Sequence, residues 1–237
     1  MILFYGWTTL AGLLVLPLLL GPPQPLRAYS RFWVRVTLWL LRVTVGLSHQ
    51  VVGRENIPAG PALFAIKHQS AWETLAINLI IRDPAIVLKR ELTWIPIFGW
   101  YLLRTGQIAI NRSGGMSALR GMVNAAREAL AEGRSIIIYP EGTRVTPGSR
   151  QTYHAGIAAL HGALHVPVVP VAVNSGVFWP HHMIGLRPGV ITIEFLPALP
   201  TDLPRRDFVQ TLETAIETAC DRLQRETATT TGTSHTT

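Results

Sequence analysis

The chain has almost nothing from which a disulfide framework could be built. Its 237 residues include one cysteine, Cys220, which also excludes a cysteine-based zinc site. Charge is scarce too: Asp, Glu, Lys and Arg make up 15% of the residues, against 48% apolar, and the mean hydropathy is +0.28. A disordered chain would show the opposite balance. Acidic residues are missing from the whole N-terminal stretch. The first is Glu55, and Arg27, Arg31, Arg35, Arg42 and Arg54 precede it. The net charge of +7 therefore arises mainly there, because beyond Arg54 the two signs nearly balance. Basicity beside the most apolar stretch points to a membrane surface and away from nucleic acid. No Gly-x-Ser-x-Gly elbow occurs, so no activated serine is evident.

Residues 1–20, MILFYGWTTLAGLLVLPLLL, carry no charged side chain. At ~1.5 Å per residue such a run reaches ~30 Å, about one hydrocarbon core. No basic n-region precedes it and GPPQPLR follows, so it is expected to stay in place as an anchor rather than be cleaved. Pro17 leaves open whether the run spans the bilayer or dips into one leaflet. Residues 31–47, RFWVRVTLWLLRVTVGL, predict a second lipid-facing helix. At 100° per residue, Arg31, Arg35 and Arg42 fall within ~40° of one another on a surface otherwise filled by Trp33, Trp39 and aliphatics. That pattern suits a helix at the headgroup level. The arginines place the rest of the chain on the cytoplasmic side of the inner membrane by the positive-inside rule.

From about Val51 short apolar runs alternate with helical patterns. Strands are expected at 61–66, 85–88, 107–110, 135–139, 168–173 and 190–195. Helices are expected at 71–81, 94–103, 115–132, 153–164 and 205–225. This alternation predicts an α/β fold, a mainly parallel sheet flanked by helices, with the N-terminal two-helix segment as a membrane-associated addition. The expected organisation is an anchor over 1–48, an α/β domain over 49–225 and a disordered, low-complexity tail over 226–237.

Ligand sites on such sheets gather beyond the carboxyl ends of strands. There the chain has Lys67-His-Gln-Ser-Ala-Trp-Glu73, Gly106-to-Arg112, Tyr139-Pro-Glu-Gly-Thr-Arg144 and Val166-to-Gly176. Ser70 and Glu73 have the spacing of a capping box. The same carboxylate can also reach back over the first helical turn to hold the His68 imidazole and stabilise its protonated form. The turn Glu141-Gly142-Thr143-Arg144 offers backbone N–H groups, a hydroxyl and a guanidinium, a seat for phosphate. The stretch Val166–Gly176, with Pro167 and Pro170, looks like a structural wall. His154, His161 and His165 share one face of an expected helix, but no cysteine or carboxylate completes a metal set, and no metal is expected. Nothing fixes a role for His181 and His182.

In this order and spacing, His68-x4-Glu73, Gly106–Arg112, Glu141-Gly-Thr-Arg144 and Val166-Pro-Val-Val-Pro170 resemble the four motif blocks of the glycerophospholipid acyltransferases, most nearly the bacterial 1-acyl-glycerol-3-phosphate (lysophosphatidate) acyltransferases. The resemblance covers roughly residues 50–200. The family's first block usually ends in Asp where this chain has Glu73, and its second often has Asp where this chain has Asn111. The resemblance implies a membrane acyltransferase of phospholipid synthesis, moving an acyl group from a thioester to the sn-2 hydroxyl of lysophosphatidate to give phosphatidate. It implies His68 as general base, Glu73 as its orienting partner, and Arg112, Glu141, Gly142, Thr143 and Arg144 as acceptor-binding residues. It implies acyl-CoA or acyl carrier protein as donor co-substrate and no bound cofactor. Membrane lipids are the expected partners and nucleic acid is not. A different lysolipid acceptor, or a non-catalytic lipid-binding protein of the same fold, is the alternative.

Overall fold

The computed structural model describes residues 2–180 and 185–233, with side-chain surroundings over 6–180 and 185–229. The expectation for His181 and His182 lies outside the described residues. Helix α1 (Ile2–Leu14) ends in a 3-10 turn at Leu16–Leu20, and α2 follows over Pro23–Val45. Strands β1 (Leu47–Val52), β2 (Leu63–Ile66), β3 (Ala85–Lys89), β4 (Ile108–Ile110), β5 (Ile136–Ile138), β6 (Val168–Val173) and β7 (Gly189–Phe195) make one sheet. Helices α3 (Trp72–Ile80), α4 (Phe98–Arg104), α5 (Gly115–Ala131), α6 (Ala155–Leu164), α7 (Ser175–Phe178) and α8 (Arg205–Thr233) complete the chain.

The sheet order is β1-β7-β6-β2-β5-β3-β4. The five strands β6-β2-β5-β3-β4 run parallel, β7 is antiparallel to β6, and β1 pairs parallel with β7. Alternate residues of the central strands β2, β5 and β6 build two cores, as the two-residue strand period requires. Phe64 and Ile66 of β2 pack with Trp72, Ile77, Leu38 and Leu41 on the α2–α3 side. Leu63 and Ala65 pack with Met122, Ile157, Phe208 and Ile216 on the α5–α6–α8 side.

β1 is an edge strand that the apolar pattern does not signal. Its sequence, LSHQVV, fully buries only Leu47. Gly46, in the left-handed region at φ 74°, ends α2 with its N–H on the Arg42 carbonyl, and its own carbonyl accepts from Gly189 N–H. The helix expected to run to residue 47 therefore stops short and feeds the sheet. At the other end, α8 continues to Thr233, so the boundary expected at residue 226 falls within a helix. Thr227 there accepts a hydrogen bond from Asn174 Nδ2 at 2.8 Å and donates to the Leu223 carbonyl at 2.7 Å.

The N-terminal run, which the sequence leaves between spanning and dipping into one leaflet, is not one continuous helix. α1 has 13 residues, about 20 Å of rise, short of a hydrocarbon core. Pro17, which lacks an N–H, sits in the 3-10 turn that breaks the run in two. No helix among the described residues is long and apolar enough to cross a membrane. α1 instead folds back along α2: Trp7 Nε1 donates to Thr37 Oγ1 at 3.2 Å, and Tyr29 OH donates to the Ala11 carbonyl at 2.8 Å. Val34, Leu38 and Leu41 of α2 are buried against the domain, while Phe32, Trp39 and Val43 remain about half exposed. Arg35 and Arg42 are on the exposed surface with them. Arg27 is tied inward, with Nη1 2.9 Å from Asp83 Oδ2 and Nε donating to the Thr105 carbonyl.

Candidate active site

His68 follows β2 at the carboxyl edge of the parallel strands, and Glu73 is the second residue of α3. One half of the expected capping box forms, the bond from Ser70 N–H to Glu73; the Ser70 hydroxyl takes the Trp72 N–H in place of that of Glu73, and the helix N-cap is Ala71. Trp72 N–H donates to Ser70 Oγ at 3.0 Å, and Ser70 N–H donates to Glu73 Oε1 at 2.7 Å. The same Oε1 accepts from Gln69 N–H at 2.7 Å and lies 2.9 Å from His68 Nδ1. Oε2 accepts from the hydroxyls of Ser70 and Ser175, each at 2.7 Å. Glu73 is fully buried. Burial alone would raise its carboxyl, but the hydrogen bond and charge of His68, with the bonds from Ser175 and Ser70, outweigh it and hold the group below the ordinary carboxylate value.

An ionised carboxylate only accepts, so Nδ1 carries the proton and Nε2 is the free ring nitrogen. His68 lies over Tyr139 with ring centroids 4.4 Å apart. It lines a cavity of about 1310 Å³. Leu88, Leu102, Leu119 and Met122 line apolar parts of this space; Arg112, Thr143 and Arg144 supply polar ones. Gly142, at φ 68°, turns the chain after β5 with its N–H on the Tyr139 carbonyl. A Cβ there would come within 2.7 Å of His154 Cδ2 and 3.4 Å of Arg112 Cζ, so both side chains close over this glycine. Among the described residues, no hydrogen bond or ion pair takes up the side chains of Arg112, Arg144 or His154.

Residues 48–174 match the Acyltransferase family. A 1-acyl-sn-glycerol-3-phosphate acyltransferase of Pseudomonas aeruginosa is 39% identical over 184 residues, covering 76% of this chain and 72% of that one. This chain belongs to the acyltransferase family. Its relatives include the Escherichia coli K12 1-acyl-sn-glycerol-3-phosphate acyltransferase, 28% identical over 65% of this chain and 62% of that one. The fold is that of the 1-acyl-sn-glycerophosphate (LPA) acyltransferase PlsC of Thermotoga maritima, with a TM-score of 0.65 and 21% identity over 85% of this chain and 79% of the other.

In this acyltransferase most of the sequence-predicted site comes together at one sheet edge. His68, Arg112, Gly142, Thr143 and Arg144 all line the cavity. Glu141 does not. Its side chain is fully buried and faces Lys67, whose Nζ is 3.2 Å from Glu141 Oε1. Burial, only partly countered by Lys67, pushes the Glu141 carboxyl up to about 7. The Glu141 side chain thus sits behind the turn, outside the cavity lining. At Glu73 the extra methylene is absorbed, since the carboxylate still reaches Nδ1. Asn111 caps the 3-10 turn after β4, with Oδ1 accepting from Ser113 N–H and Oγ.

The three histidines that share a face in an ideal helix do not share one here. His154 is the extended residue before α6, and His165 ends the helix in the left-handed region. His161 stacks on Phe208 at 3.7 Å, with Nε2 3.2 Å from the Leu203 carbonyl. Two residues beside the candidate site, Ser175 and His154, escape the motif reading. Ser175 belongs to Asn174-Ser-Gly176, after β6 on the edge that carries His68, so the strand-end rule applied to the supposed wall would have found it. His154 is brought to Gly142 by its own N–H, which bonds the Pro140 carbonyl at 2.9 Å, a tertiary contact with no local signal.

Proposed function

We propose that this acyltransferase moves a fatty acyl group from a thioester to the free sn-2 hydroxyl of lysophosphatidate, giving phosphatidate and a free thiol. The observation that carries the proposal is the His68–Glu73 pair opening into a cavity that also presents Arg112, with Glu91 the acid that acts on it, and Arg144, neither held in a hydrogen bond or close ion pair among the described residues. His68 Nε2 takes the hydroxyl proton as that oxygen attacks the thioester carbonyl. Glu73 stabilises the imidazolium so formed. Collapse of the tetrahedral intermediate breaks the carbon–sulfur bond, and His68 returns the proton to the leaving thiolate. Arg112 and Arg144, with His154 and the Thr143 hydroxyl, hold the phosphomonoester through charge-assisted hydrogen bonds. Apolar side chains such as Leu88, Leu102 and Met122 accommodate acyl chain. No enzyme nucleophile is required; Cys220 is buried, and burial first of all pushes its thiol up to about 12.

The chain works at a bilayer surface, the inner membrane of the cell, from its cytoplasmic side. This reading is supported by Phe32, Trp39 and Val43 beside Arg35 and Arg42 on α2, and by the exposed Leu10, Leu13, Trp94, Phe98, Trp100 and Leu103. Acyl-CoA or acyl-acyl carrier protein serves as donor. The test supplies full-length chain in vesicles with lysophosphatidate and each labelled donor, and follows phosphatidate. Monoacylglycerol, lacking the phosphate, should be a poor acceptor. Equal rates with both acceptors would remove the arginines from the phosphate role.

A further inference from the structure

A buried polar assembly outside the cavity lining runs from the residue before His68 to α8. Lys67, one residue before His68, is about 1% exposed. Its Nζ is 2.6 Å from Glu217 Oε1 and 3.2 Å from Glu141 Oε1. Tyr153 OH donates to Glu217 Oε1 at 3.2 Å. Glu217, about 3% exposed, comes from α8, which contributes no residue to the cavity lining. The assembly therefore joins the loop after β2, the turn after β5, the segment before α6 and the C-terminal helix.

Three buried ionisable groups of this kind are a poor source of stability, since apolar side chains of similar volume do as well. They do fix geometry. Lys67 is covalently next to His68, and Glu141 is next to Gly142-Thr143-Arg144. The two loops are joined directly by one backbone bond, from Val145 N–H to the His68 carbonyl at 2.8 Å. The Lys67–Glu141 contact is a second tie between them. Neither Glu141 oxygen has a hydrogen-bond partner of good geometry, so Lys67 is its nearest compensating group and Glu217 is what holds Lys67 in place.

We propose that Glu217 is a positioning residue for acyl transfer: by anchoring Lys67 between itself and Glu141, it fixes the span between His68 and Arg144 that one acceptor molecule must bridge. This rests on the roles given above to His68 and Arg144. The hydroxyl of the acceptor meets one end of that span and its phosphate the other, whereas the donor thioester meets only the first. Loosening the anchor should therefore penalise the acceptor selectively.

The test measures steady-state kinetics of the full chain with each substrate varied in turn, together with the thermal midpoint. Glu217→Gln should lower kcat/KM for lysophosphatidate about tenfold to a hundredfold, the scale of a small misplacement of reacting groups, and leave KM for the donor within about twofold. Lys67→Met should act in the same direction, and the double variant should be little worse than Lys67→Met alone, because Glu217 acts through Lys67. If Glu217→Gln does not fold, Tyr153→Phe removes only the hydroxyl bond to Glu217 and should lower acceptor kcat/KM about twofold to fivefold. The proposal is overturned if the midpoint falls while acceptor kcat/KM is unchanged. It is also overturned if donor and acceptor suffer equally, or if the Lys67 and Glu217 effects simply add. His68→Ala separates this from the reading beneath it: an active His68→Ala sinks the mechanism, whereas an inactive one with a normal Glu217→Gln sinks only the positioning role.

Discussion

Replacing Glu73 by Gln removes one charge and almost nothing else. Oε1 accepts three N–H donors, from Gln69, Ser70 and His68, while Oε2 faces two hydroxyls. A glutamine amide has one orientation that fits: its oxygen must stay among the three donors, and its NH₂ then meets hydroxyls that can rotate to accept. The cap and the ring orientation survive, so the loss falls on the imidazolium. A unit charge pair about 4 Å apart interacts by about 4 kcal/mol at an effective dielectric near 20. A loss of about 3–4 kcal/mol in the transition state corresponds to about 10²–10³ in kcat. The assay is kcat at saturating lysophosphatidate and donor. A variant retaining more than about a third of wild-type kcat would refute the reasoning and leave Glu73 as a helix cap alone. The pH dependence supplies a second check. The folded carboxyl sits below its ordinary value, so its stabilisation is present at neutral pH and lost as pH falls through that lowered value. The difference in thermal midpoint between wild type and Glu73→Gln should therefore shrink on acidification.

Arg112→Ala and Arg144→Ala should each raise KM for lysophosphatidate about tenfold, the worth of a charge-assisted phosphate contact, with donor KM nearly unchanged in steady-state kinetics; an effect on the donor alone would contradict the assignment. His154→Ala should raise acceptor KM about twofold to tenfold by loss of a contact to phosphate, and an unchanged KM would remove it from the site. Glu141 has its carboxyl pushed up to about 7, so the stability it contributes is full below its unfolded value and lost as pH rises through about 7. The midpoint of wild type relative to Glu141→Gln should thus fall between about pH 5 and pH 8, and a rising difference would count against the burial argument. Charged replacements at Trp39 and Phe32 should weaken flotation with anionic vesicles, since each half-exposed ring gives up ~1–2 kcal/mol of apolar burial; flotation equal to wild type would move the membrane-facing surface elsewhere.

The parallel strands and the helices between them are legible because buried β-strands are continuous apolar runs and the helices keep their 3.6-residue pattern, as β6 and α5 illustrate. His68 and Glu73 are legible for a local reason, the capping-box spacing. What escapes is tertiary. β1 exposes most of its residues at a sheet edge, so its pattern is polar. Glu141 shares a turn with Thr143 and Arg144, and sequence cannot say that it alone faces inward to Lys67. The Lys67–Glu217 contact spans 150 positions. The uncharged run of residues 1–20 has the composition of a spanning helix, but Pro17 divides it and α2 receives the first part.

The central claim is that His68 Nε2 activates an acceptor hydroxyl for attack on an acyl thioester. The most direct measurement compares wild type and His68→Ala, full-length and in vesicles, for conversion of lysophosphatidate and labelled acyl thioester to phosphatidate. Loss of a general base is worth ~10²–10⁴-fold. Wild type should form labelled phosphatidate, and His68→Ala should form it at less than a hundredth of that rate while floating with the vesicles as before. Phosphatidate formation by His68→Ala above about a tenth of the wild-type rate would contradict the account.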